Sequence, residues 1–214
     1  MMKHLYIFSG LGVDERVFKY LDFTDFEVTF IKWVQPDANE SIEDYAKRLT
    51  GQITAEKPVI VGLSFGGMMA IEITKHLPAE KVILIASAKT FKEIPFYYRW
   101  AGYLKLHKIL PVKVFKQHTF INDWFFGIET KEHRKIFAEI LYDLDAYFLR
   151  WAIDKILCWK NLTIPPNVIH IHGDTDRILP IHFVNADFVI KGGGHFMTVS
   201  QAKELTELLH TSIV

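Results

Sequence analysis

The chain has 214 residues, half of them apolar, enough for one globular domain with a sizeable core. Its 25 Lys and Arg balance 25 Asp and Glu, so the formal net charge is zero and nothing argues for a nucleic-acid partner. The single cysteine, Cys158, excludes an intramolecular disulfide, no stretch approaches the roughly 20 apolar residues of a membrane span, and the N-terminal apolar run is too short for a signal peptide, so the expectation is a soluble, cytoplasmic protein.

Short apolar runs alternate with helical patterns along the chain. Leu5 to Phe8 reads as a first strand, followed by the loop Ser9-Gly10-Leu11-Gly12 and a helix from Glu15 to Leu21. Phe26 to Ile31 is a second strand, and Ser41 is placed to cap a helix whose apolar residues Ile42, Tyr45, Ala46 and Leu49 recur at helical spacing. Val59 to Leu63 is a third strand, with a helix after Ser64 that ends before Pro78, and Val82 to Ala86 is a fourth. Val168 to His172 and Phe188 to Ile190 supply a fifth and a sixth, and a closing helix runs from about Val199 to Leu209. Continuous apolar strands separated by helices imply an α/β fold with a mostly parallel sheet covered on both faces, whose ligand-binding loops lie at the carboxyl ends of the strands.

The alternation breaks between residues 91 and 160, where most of the aromatics lie, interleaved with Lys and Arg at helical spacing. This stretch is expected to form a helical cap inserted into a core made of residues 1–90 and 161–214, leaving the sheet at the end of the fourth strand and offering an apolar pocket. The alternative is an ordinary helical insertion whose aromatics form a core of their own. His107 and His118 are expected on its surface.

Three short segments carry chemistry. Gly62-Leu63-Ser64-Phe65-Gly66 follows a buried strand and opens a helix, and glycines two residues before and after the serine remove side chains that would collide across a sharp turn. A serine held in that way presents its hydroxyl above the sheet as a nucleophile. A hydroxyl needs a base, and the base needs an orienting acid. His195, after Gly192-Gly193-Gly194 and before the last helix, stands in a loop able to bring an imidazole over the sheet edge. The acid comes from His172-Gly173-Asp174-Thr175-Asp176-Arg177 at the end of the fifth strand, where local spacing alone does not separate Asp174 from Asp176. The same segment partly fits a metal site: His170 and His172 project to one face of a strand beside Asp174, but further ligands at suitable intervals are not evident, and no metal or organic cofactor is expected.

The serine turn, the His-Gly-x-x-Asp segment and the Gly-His loop, in the order Ser, acid, His, make the whole chain resemble the α/β-hydrolase superfamily. The resemblance implies Asp176 as the acid and Asp174 as a turn residue, with Asp143 and Asp145 weaker candidates because some relatives place the acid after the preceding strand. It implies an oxyanion hole formed by the backbone N–H of Phe65 and, from the loop after the first strand, of Leu11, with Ser9 standing where the family often has histidine. Relatives commonly carry an antiparallel hairpin before that strand. Nothing before Leu5 is able to form one, so about six strands are expected. An aspartate nucleophile is argued against by Ser64 itself, and a non-catalytic binding protein by the complete triad. Leu11, Phe65 and Phe196 adjoin the expected triad and are read as pocket residues, which suits a small, largely apolar carboxylic ester. Thioester, lactone and carbon–carbon bond cleavage use the same residues and stay open.

Overall fold

The computed structural model describes residues 2–109 and 119–213; Phe115 and His118 fall outside them. Six strands form one parallel sheet: β1 (Lys3–Phe8), β2 (Phe26–Phe30), β3 (Val59–Leu63), β4 (Lys81–Ile85), β5 (Val168–Gly173) and β6 (Phe188–Ile190), in the order β2-β1-β3-β4-β5-β6. Among the described residues the helices are α1 (Ile42–Leu49), α2 (Phe65–Ile73), α3 (Phe96–Tyr103), α4 (Leu106–Ile109), α5 (Phe120–Phe126), α6 (Lys131–Asp143), α7 (Ala146–Leu157), α8 (Met197–Ser200) and α9 (Ala202–Ile213). Among the described residues none is long and apolar enough to cross a membrane.

The two-residue period of the strands divides the core. Leu5, Ile7, Val59, Val61, Ile83 and Ile85 join one buried cluster, whereas Tyr6, Phe8, Ile60, Val82 and Leu84 join the other. Strands buried on both faces cannot show polar alternation, which is why they read as unbroken apolar runs. The chain leaves β1 for β2 on one side and returns to β3 on the other, so the switch point of the sheet opens at the ends of β1 and β3. The loop Ser9 to Gly12 and Ser64 occupy these two ends.

Several local expectations change. The helix expected from Glu15 to Leu21 is one 3-10 turn, Glu15–Phe18, capped by the Asp14 side chain; that single turn suffices to seat Val17 and Phe18 in the core. Elsewhere, the chain after Pro180 makes one further 3-10 turn, Ile181–Phe183. The closing helix is longer than expected and broken at Gln201, whose backbone leaves helical geometry between α8 and α9. Among the described residues of the stretch 91–160, Ile136, Phe137 and Ile140 of α6 enter one sheet cluster, and Phe148 and Trp151 of α7 enter the other. His107 is not a surface residue but is buried, its Nε2 2.8 Å from Asp154 of α7.

The glycines around Ser64 act at close approaches. A methyl group on Gly62 would overlap the backbone of Gly66 and Gly67 across the turn, as the sequence suggests. One on Gly66 would instead strike the carbonyl oxygens of Phe8 and Ser9 at the end of β1. Backbone oxygens fixed by a sheet cannot give way, so Gly66→Ala should destabilise the protein by about 3 kcal/mol. The expected reading is a lower urea midpoint at unchanged m; an unaltered midpoint would show that the close packing of α2 on β1 is dispensable.

Candidate active site

Ser64 stands between β3 and α2 with φ 52° and ψ −118°, a conformation strained for any residue with a side chain. Its surroundings hold it there. The Ser64 N–H donates to the Ile85 carbonyl at 2.8 Å, its own carbonyl accepts from Gly67 N–H at 2.9 Å, and the buried Ser87 hydroxyl donates to the same carbonyl at 2.7 Å. Ser87, two residues beyond β4, escaped the sequence reading. Its place just past a strand's carboxyl end was the available signal.

His195 Nε2 lies 2.8 Å from Ser64 Oγ, and His195 Nδ1 lies 2.7 Å from Asp176 Oδ2. An ionised carboxylate only accepts, so Nδ1 carries the proton and Nε2 is left to accept from the serine hydroxyl. The other oxygen, Asp176 Oδ1, accepts from the Ile178 and Leu179 N–H groups at 2.8 and 2.9 Å. Burial alone would raise the Asp176 carboxyl, but the adjacent His195, with help from His172 and the Leu179 N–H, outweighs it and holds the group below the usual carboxylate range. The other aspartates are engaged elsewhere. Asp174 accepts from Gly192 N–H at 2.6 Å, Asp143 pairs with Arg16 at 2.8 Å, and Asp145 caps α7 through Phe148 N–H.

The loop carrying His195 is stitched to its neighbours. The Thr175 N–H and hydroxyl both donate to the Gly193 carbonyl, and a methyl on Gly173 would overlap that same carbonyl. Phe196 N–H donates to the Phe126 carbonyl at 3.1 Å, while the Phe126 ring stands 5.8 Å from the imidazole. The insertion therefore helps fix the histidine, a contact between distant segments that no local pattern announces.

His170 and His172 bond to each other rather than converging with Asp174: His170 Nε2 is 3.2 Å from His172 Nδ1, and His172 Nε2 is 2.7 Å from the Leu179 carbonyl. That carbonyl fixes His172 Nε2 as a donor, so His170 must donate to His172 Nδ1. Burial, with His172 and Lys89 nearby, pushes His170 down to about 3, keeping it neutral. Through Leu179 the pair braces the turn that grips Asp176. No group of three or more metal-ligating side chains occurs among the described residues.

The backbone N–H groups of Phe65 and Leu11 make no hydrogen bond among the described residues. Phe65 is the first residue of α2, where free N–H groups and the helix dipole favour negative charge. Gly10 brings the neighbouring loop against the serine, since a methyl there would sit 3.4 Å from Ser64 Cβ. Ser9 supports that loop by accepting from the Trp33 indole N–H at 2.9 Å. The side chains of the three residues read as pocket lining go different ways. Phe65 is buried against Trp33 and Trp151, and Phe196 is buried with Phe137; Leu11 is half-buried. A cavity of about 200 Å³ opens instead beside the Ser9–Gly12 loop, among Gly12, Val13, Trp33, Ile140, Leu144 and Phe148, and does not reach Ser64.

A family model described as the alpha/beta hydrolase family matches residues 8–208. The chain belongs to the alpha/beta hydrolase family. No curated protein sequence matches it. Among solved structures, a bromoperoxidase from Bacillus anthracis is 18% identical with a TM-score of 0.72, covering 100% of this chain and 92% of that one. A thermophilic esterase from Thermogutta terrifontis is 16% identical with a TM-score of 0.66, covering 99% and 89%. A meta-cleavage product hydrolase from Pseudomonas fluorescens is 18% identical with a TM-score of 0.67, covering 99% and 90%. At these identities the likeness is one of fold. The alpha/beta hydrolase family supports hydrolase activity, while the different chemistries named for these neighbours leave the bond cleaved to the site itself.

Proposed function

We propose that this alpha/beta hydrolase is a serine hydrolase that cleaves a small, largely apolar carboxylic ester through an acyl-enzyme. The observation that carries the proposal is the continuous hydrogen-bonded chain from Ser64 through His195 to Asp176, beginning at a strained turn beside two uncommitted N–H donors. Ser64 Oγ attacks the carbonyl carbon as His195 Nε2 takes its proton, and Asp176 stabilises the imidazolium that forms. Phe65 and Leu11 N–H groups receive the oxyanion, each donor contributing about 3 kcal/mol. His195 then protonates the leaving alcohol, water repeats the sequence on the acyl group, and the acid departs. Residues 91–160 act as a cap, and the apolar side chains it brings to the site, such as Phe126 beside His195, suit a small apolar acyl or alcohol group.

A fluorophosphonate, which phosphonylates an activated serine, should label the chain at Ser64 alone. In a panel of nitrophenyl esters of rising chain length, beside acyl-thioesters, lactones and a diketone, the short esters should turn over fastest. Absence of labelling at Ser64 would leave a non-catalytic binding protein of the same fold. Faster cleavage of a thioester, lactone or diketone would keep the triad but move the substrate class.

A further inference from the structure

Helix α3 wears its apolar side outward. Taken at 100° per residue, Phe96, Tyr97, Trp100, Tyr103 and Leu104 share one face, and all are exposed, Trp100 at 61% and Tyr103 at 80%. The opposite face is already occupied: Tyr98 is half-buried, and Gly102 lies so close to α7 that a methyl group would overlap the Leu157 carbonyl. The exposed face is therefore surplus to the core. It continues into α4, where Leu106 and Ile109 are also exposed, Ile109 at 78%. Apolar patches of this extent mark a surface meant to be covered.

Charge says by what. From Ile94 to Ile109 the sequence contains Arg99, Lys105 and Lys108 and no Asp or Glu, in a chain whose total charge is balanced. Lys105 and Lys108 are exposed among the apolar residues; Lys108 also lies 3.5 Å from Asp154 of α7. Lysine is depleted in protein–protein interfaces, which argues against a second copy as the occupant. Trp and Tyr rings flanked by lysine are instead the composition that settles at the headgroup level of an anionic bilayer. The face adjoins the reacting groups: Tyr97 and Phe96 pack on Phe183, seven residues beyond Asp176, and Tyr98, pushed up to about 12 by burial, also feels Tyr97 and the Asp176 charge.

We infer that the outward face of α3 and α4 docks this protein on the surface of anionic lipid bilayers, without spanning them, and so brings the Ser64 site to esters dissolved in or attached to the membrane. Docking itself is independent of the serine hydrolase reading. Only its consequence for substrate supply rests on that reading.

Co-sedimentation of the full chain with phosphatidylcholine vesicles, with and without one-third phosphatidylserine, tests it, and Ser64→Ala run in parallel keeps the outcome independent of catalysis. Both chains should bind the phosphatidylserine vesicles more tightly, and less so as salt is raised. Trp100→Ser with Tyr103→Ser should weaken binding about tenfold or more, and Lys105→Gln about fivefold. Both substitutions are at exposed positions, so circular dichroism and hydrolysis of a soluble nitrophenyl ester should match wild type; Tyr103→Ser alone serves if the pair folds poorly. The proposal is overturned if the wild-type chain sediments with neither vesicle, or if the folded aromatic variant binds as tightly. It is also overturned if the chain is a dimer in sedimentation velocity that the same substitutions dissociate, since the face is then buried between copies.

Discussion

Ser64→Ala should lower kcat/KM for the preferred ester about 10⁶-fold, because the serine and its histidine act as a unit and neither works alone. The fold should not suffer, and a second substitution separates the two effects. Ser64 holds φ 52° only because β3, β4 and Ser87 fix the backbone around it. Ser64→Gly removes the Cβ that makes this conformation unfavourable, so it should be equally inactive yet more stable than wild type by about 1 kcal/mol. Steady-state kinetics and urea denaturation of the two variants read the opposite signs. Activity retained at more than a few per cent by purified Ser64→Ala would remove the serine from the chemistry. A destabilised glycine variant would mean that the turn is not strained.

Asp176→Asn should lower kcat about 10⁴-fold, whereas Asp174→Asn stays within about twofold of wild type. The asymmetry follows from the hydrogen bonds. Two N–H donors, from Ile178 and Leu179, point at one oxygen of Asp176. An asparagine must turn its own oxygen toward them, which leaves its NH₂ group facing His195 Nδ1. The imidazole then carries its proton on Nε2 and has no lone pair for the serine hydroxyl. At Asp174 an asparagine oxygen still accepts from Gly192 N–H, and the loop keeps its shape. Acid sensitivity provides a second reading. The Asp176 carboxyl titrates below its usual value, so its pairing contributes stability that is fully present above about pH 4 and is lost as pH falls through the folded value. Asp176→Asn should flatten that acid limb of the stability profile, measured by urea midpoints from pH 6 downward; equal slopes would contradict the carboxylate's placement, and comparable activity losses in the two variants would reopen the choice of acid.

The strands, their parallel direction and the three candidate segments were legible because each is a local pattern. An apolar run bounded by turns, glycines flanking a serine, and a glycine-rich loop before a helix can each be read within a few residues of sequence. The expectation of Asp176 rather than Asp174 as the acid was not local; spacing left it open, and the resemblance to a family supplied it. Phe65 and Phe196 sit next to Ser64 and His195 in sequence, but neighbours on a strand end or a helix start point to different faces, and both side chains enter the cores. The role of Ser87, the brace of His170 and His172 under Leu179, and the grip of Phe126 on the His195 loop join segments far apart in the chain. Gly66 shows the same division: its sequence position marked a tight turn, yet the atoms that forbid a side chain there belong to β1.

By itself, then, the amino-acid order determined the alternating architecture and which serine and histidine stand out, because hydrophobic periodicity and glycine placement are consequences of short-range sterics and burial. Tertiary structure alone decided that His195 Nε2 reaches Ser64 at 2.8 Å, and that the described aromatics Phe137, Phe148, Trp100 and Tyr103 divide between two cores and an outward face. Those outcomes depend on how six strand ends converge on one edge of the sheet, and composition carries no record of distance.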